Sequence, residues 1–179
     1  MITLVTGPAR SGKSEWAENL AHASPLPVIY IATAQTYPDD PEWQSRIARH
    51  RQRRPSHWQV LEVPLELPQT LRSLPPASFV LIDALGTWVS NFLEHPQWDN
   101  YQNELLHVLL NSTAEITIVA EEVGWGLVPP YPLGRLFRDR MGSLVRQISK
   151  LSHRVVLVVA GYALELNQIG QPLDRTSSP

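Results

Sequence analysis

The chain has 179 residues, of which 43% are hydrophobic and 18% charged; it carries a net charge of -2 and has no cysteine. This length fits one domain with a sizeable core, and the composition excludes a disordered or collagen-like chain. The charge gives nothing to draw the protein onto DNA or an anionic membrane, and the lack of cysteine excludes disulfides, thiolate catalysis and iron–sulfur or zinc–cysteine sites.

Met1 to Thr6 is apolar from the start, with no basic leader, and the longest apolar runs fall far short of the ~20 residues of a membrane span. The expectation is a cytoplasmic protein without a membrane span. Ile2 to Thr6 reads as a buried, β-branched strand. A glycine-rich turn follows, then a helix from Gly12 to His22, stopped by Ser24-Pro25-Leu26-Pro27. Val28 to Ala32 is the second strand. Asp39-Asp40-Pro41 opens a helix through Trp43, Ile47 and His50, with Pro55 at or beyond its end. Val60 to Val63 reads as a short strand and Pro68 to Leu74 as a helical turn or two.

Phe79 to Asp83 is the next core strand. Thr87 to Leu93 reads as a helix, broken by His95-Pro96, and Asp99 caps another that runs to Leu110. Glu115 to Ala120 is a strand, residues 124–132 a long loop, Leu133 to Leu151 an amphipathic helix and Val155 to Ala160 the last core strand. Alternating strands and helices predict an α/β fold, with a mostly parallel sheet covered on both faces. Residues 1–167 form a single catalytic unit, and residues 168–179 a flexible polar tail.

Gly7-Pro8-Ala9-Arg10-Ser11-Gly12-Lys13-Ser14 fits G-x-x-x-x-G-K-[ST], and it stands between a strand and a helix as that motif requires. The glycines let backbone N–H groups curl around an anion, and the helix N-terminus adds partial positive charge. In this role Lys13 reaches the β- and γ-phosphates and Ser14 ligates Mg²⁺. Thirteen of the fifteen basic residues are arginine; Lys13 and Lys150 are the only lysines. Such a loop needs a carboxylate for the metal at the end of a core strand. Asp83 is placed for it, the bland alternative being a cap on the next helix. Glu121 and Glu122 end another strand in the same way.

Arg46 to Pro55 is unusual, with five arginines around His50 within nine residues. Three readings are open: a solvated basic helix face, a nucleic-acid patch, or triphosphate chemistry in which neutral imidazole attacks phosphorus and guanidinium groups stabilise the charge that develops. The remaining histidines lie at helix ends and turns and read as structural.

Across residues 2 to 165 the sequence resembles the bifunctional adenosylcobinamide kinase / adenosylcobinamide-phosphate guanylyltransferase family. The resemblance is carried by Leu4-Val5-Thr6-Gly7 with Ala9 to Ser14, by Tyr30-Ile31-Ala32-Thr33-Ala34, by Arg46-Ile47 and His50-Arg51 with Arg54-Pro55 and Trp58, by Glu62 and Asp83, and by Glu122-Val123-Gly124 with Gly126 and Val128-Pro129. It implies a RecA-like P-loop NTPase fold, a homotrimer with the active site near a subunit boundary, and ATP, GTP and a corrinoid as substrates. It further implies that His50 carries a covalent GMP, and that nucleotide contacts fall on residues 7–14, Thr33, Ala34, Arg51, Gln52, Arg53, Arg54, Glu62 and Asp83. Pro8, where many relatives have glycine, cannot donate an N–H; Glu121 stands where asparagine is common. Two other readings remain: a P-loop small-molecule kinase without nucleotidyl transfer, and a RecA-type module acting on nucleic acid.

Overall fold

The computed structural model describes residues 1–35 and 39–173, with Arg46, Arg49 and His50 described as backbone only. Among the described residues, six parallel strands and one antiparallel edge strand form a single sheet. In chain order the strands are β1 (Ile2–Gly7), β2 (Val28–Ala32), β3 (Gln59–Glu62), β4 (Phe79–Asp83), β5 (Glu115–Glu121), β6 (Arg154–Val159) and β7 (Tyr162–Glu165). Their order across the sheet is β3-β2-β4-β5-β1-β6-β7, and only the β6–β7 pairing is antiparallel. β5 therefore lies between β1, which feeds the glycine-rich loop, and β4, which ends at Asp83.

The helices are α1 (Lys13–Ala23), α2 (Pro41–Arg53), α3 (Leu67–Ser73), α4 (Leu85–Asn91), α5 (Trp98–Asn111), α6 (Pro132–Leu151) and α7 (Leu166–Ile169). Strand side chains alternate between two cores, as the period of two requires. Leu4, Ile31, Ile82 and Ile118 join the core covered by α3, α4, α5 and α6, through residues such as Leu71, Trp88, Leu105 and Leu144. Val5, Tyr30, Leu81, Val119 and Val156 face the other core, where α1 packs Ala17 and Ala21. The expected sheet, covered on both faces, is the observed one.

Local chemistry explains the element boundaries. Asp40 caps α2, accepting the Trp43 N–H at 2.9 Å, with Pro41 in the first turn. Two expectations need correction. Asp99 does not cap α5: Gln97 holds that position without a side-chain bond, and Asp99 lies in the first turn, where its charge suits the helix dipole. α4 begins at Leu85, two residues before the expected Thr87, because Leu85 docks in the core. The expected last core strand is β6, and beyond it an exposed edge strand, β7, pairs back through a two-residue turn in which Ala160 and Gly161 both have positive φ, 51° and 79°. The expected tail begins inside α7, and residues 174–179 lie outside the described residues.

Candidate nucleotide site

The carboxyl ends of β1, β2, β4 and β5 open into one cavity of about 950 Å³. This is where open α/β sheets bind ligands. Its floor is the turn from β1 into α1. Gly7 cannot carry a side chain: a Cβ there would stand 2.2 Å from the carbonyl oxygen of Val158 on β6. Gly12 precedes α1 with φ of 96°, a left-handed conformation that glycine adopts without strain. The loop thus packs tightly against β6 and turns its backbone toward the start of α1. Lys13 is buried, and its Nζ donates to the Pro8 carbonyl at 3.3 Å. The Ser11 hydroxyl is buried beside Gly7 and has no hydrogen-bond partner among the described residues.

Ser14 Oγ donates to Asp83 Oδ1 at 3.1 Å, and Tyr30 donates its hydroxyl to Asp83 Oδ2 at 2.6 Å. Asp83 is thereby turned toward the phosphate loop. Ala84, not Asp83, holds the N-cap position of α4, which speaks against the capping alternative. The donor set of one hydroxyl and one carboxylate is hard oxygen, and it fits a Mg²⁺ that takes its remaining ligands from nucleotide phosphates and water. Burial and the Asp83 charge push the Tyr30 phenol far above its ordinary range, so it stays a donor.

Glu121 ends β5 in the same cavity and accepts the Gly86 N–H at 2.8 Å. Burial pushes its carboxyl above the ordinary range; the nearby Lys13 ammonium pulls it back, and the Asp83 charge adds to the rise. Glu122 instead folds onto its own turn, accepting the Gly124 N–H at 2.7 Å.

α2 and the residue after it form the opposite wall, with Arg51, Gln52, Arg53, Arg54 and Glu62 among the lining residues. Arg51 is ion-paired with Glu62 at the end of β3, and Arg53 with Glu18 on α1 at 3.2 Å. The Arg54 guanidinium lies 3.8 Å from the Tyr30 ring centroid. Residue 50 falls in the last helical turn of α2; the His50 side chain lies outside the described residues.

The structure thus brings Arg10 to Ser14, Ala34, Arg51 to Arg54, Glu62, Asp83 and Glu121 to one cavity. Gly7, Pro8 and Ala9 are not among the lining residues, and neither is Thr33. Its hydroxyl is buried, donating to the Ala84 carbonyl at 2.5 Å and accepting the Ala84 N–H at 3.2 Å, which braces the turn from β4 into α4. Tyr30, Trp43, Ile47, Gly86, Thr87 and Phe137 line the cavity without having been expected there. Tyr30 alone left a signal: a phenol inside a buried strand needs a partner for its hydroxyl.

Among the described residues, no helix is long and apolar enough to cross a membrane. The sheet order and the loop-to-helix phosphate cradle define a P-loop NTPase fold. One solved structure that shares it is an ATPase from the type III secretion system of pathogenic bacteria, 8% identical with a TM-score of 0.55, covering 95% of this chain and 58% of that one. At the level of sequence, the family described as cobinamide kinase / cobinamide phosphate guanyltransferase matches residues 3–166, and the chain belongs to that family. The bifunctional adenosylcobalamin biosynthesis protein CobP of Pseudomonas aeruginosa is 44% identical over 177 residues, covering 97% of this chain and 100% of the relative. The bifunctional adenosylcobalamin biosynthesis protein CobU of Escherichia coli K12 is 36% identical over 183 residues, covering 93% and 99%.

Proposed function

We propose that the protein phosphorylates adenosylcobinamide with ATP or GTP and then transfers GMP from GTP to the product, giving adenosylcobinamide-GDP. The observation that carries this reading is the single cavity joining the phosphate loop, Asp83 and the arginine-rich end of α2. In the kinase step the substrate hydroxyl attacks the γ-phosphorus and the bond to the β-phosphate oxygen breaks, releasing the nucleoside diphosphate. Lys13 and the N–H groups at the start of α1 hold the phosphates in line and stabilise charge on them. Ser14 and Asp83 would hold a Mg²⁺, which supplies charge neutralisation on the phosphates.

In the second reaction the His50 imidazole attacks the α-phosphorus of GTP, a P–N bond forms, and pyrophosphate leaves. A phosphate oxygen of the cobinamide phosphate then attacks that phosphorus, and the P–N bond breaks to return the imidazole. Arg51, Arg53 and Arg54, at the end of the same helix, supply guanidinium groups for the triphosphate and the departing pyrophosphate. Thr33 acts behind them, fixing the β4–α4 turn rather than touching nucleotide.

The substrates are small molecules rather than nucleic acid, and the enzyme acts in the cytoplasm as a homotrimer. The loop from Trp125 to Tyr131 supports the assembly, since it exposes Trp125, Leu127 and Val128 together and an apolar surface of that kind is suited to a subunit contact. The test is a product analysis: adenosylcobinamide and GTP with the purified protein should yield adenosylcobinamide-GDP and pyrophosphate, resolved by mass spectrometry. Formation of the phosphate alone would reduce the protein to a kinase.

A further inference from the structure

Tyr30 stands in the middle of β2 with no exposed surface, between charged groups from distant parts of the chain. Its hydroxyl donates to Asp83 Oδ2 at 2.6 Å, while Ser14 donates to Oδ1 at 3.1 Å. Its ring underlies the Arg54 guanidinium, the first residue past α2. The rest of that core includes Phe79, Leu81, Val119 and Val156. A phenylalanine would bury the same ring without a polar atom to satisfy, so packing alone does not account for a tyrosine. A carboxylate turns easily about its terminal bond. A hydroxyl bonded to one of its oxygens is a short, charge-assisted anchor that fixes where the other points.

We propose that Tyr30 is a positioning residue for the nucleotide metal. It holds Oδ2 of Asp83 from inside the sheet, so that Oδ1 faces Ser14 and the phosphate loop. Through Arg54 it also ties that carboxylate to the end of α2, the helix that includes His50. The two transfer reactions thereby share one rigid link, running from α2 through Arg54, Tyr30 and Asp83 to Ser14. This inference rests on the reading of Asp83 as the metal carboxylate given above.

Tyr30→Phe tests it, because it keeps the ring beneath Arg54 and removes only the hydroxyl. ADP binding is measured by calorimetry in EDTA and again with Mg²⁺, for the parent, Tyr30→Phe, Asp83→Asn and the double variant. The expected result is that Tyr30→Phe binds ADP normally in EDTA but loses about tenfold of the Mg²⁺-dependent gain, the scale on which partners of metal ligands act. Its Mg²⁺ requirement for phosphorylation should rise by a similar factor. The double variant should lose no more than Asp83→Asn alone, since Tyr30 acts through Asp83. A full Mg²⁺-dependent gain in Tyr30→Phe, with that gain lost in Asp83→Asn, overturns the role of Tyr30 while leaving the metal reading standing. Weakened ADP binding in EDTA, or additive losses in the double variant, overturns it as well. If Asp83→Asn keeps the full gain, the metal reading fails and the inference fails with it.

Discussion

Asp83, the last residue of β4, accepts the hydroxyl of Ser14, the second residue of α1, at 3.1 Å. The two are 69 positions apart in the chain, and β1, which leads into α1, is not a neighbour of β4, because β5 is inserted between them. The contact exists because α1 starts directly above the sheet edge at which β4 ends. It gives the phosphate loop a carboxylate from a distant strand. The same edge brings Glu121 beside Lys13, so the loop lysine stands among acidic groups from two different strands.

Lys13 is buried, and among the described residues its ammonium donates across its own loop and makes no ion pair, which leaves it poised for phosphate. Lys13→Ala should therefore cost about 3–4 kcal/mol of transition-state stabilisation, roughly 100- to 1,000-fold in the rate of cobinamide phosphorylation. Steady-state kinetics with the thermal midpoint as a folding control measures this. A rate near that of the parent would separate the phosphate loop from the kinase step.

Glu121 sets a pH dependence on the nucleotide-free protein. Folding disfavours its charged form, so its contribution to stability is fully present below the ordinary carboxyl value of 4.5 and is lost as pH rises through the raised folded value. Glu121→Gln keeps an oxygen for the Gly86 N–H and removes the charge. The variant should melt higher than the parent at about pH 8, and the difference should shrink as pH falls toward 4.5. Thermal unfolding at both pH values checks the sign. A variant that melts lower at high pH would mean that its attraction to Lys13 outweighs burial.

The parts of the fold written in short-range chemistry were legible in the sequence. The phosphate loop has fixed spacing between a strand and a helix, and Asp40-Pro41 announces the start of α2 through its capping geometry. The place of Asp83 at the end of a core strand could be read because three apolar residues precede it. What is tertiary left little trace. β7 is four residues long with three of them exposed, and its hairpin turns on Ala160-Gly161 rather than on the Asn-Gly that marks such turns. The burial of Glu121 depends on which strand lies beside β5, and the role of Thr33 on a turn some fifty residues away. Tyr30 belongs to a motif that the sequence offered, but its hydrogen bond to Asp83 is fixed only by the register of β2 on β4.

The most direct test of the central claim is incubation of the protein with [α-³²P]GTP, followed by denaturation and peptide mapping. The account predicts label retained on the peptide that contains His50, acid-labile and base-stable as a phosphoramidate is, and absent from His50→Ala. That variant should still phosphorylate adenosylcobinamide, because the kinase step uses the substrate hydroxyl and not the imidazole. Label on another residue, or label that persists in His50→Ala, would contradict the account.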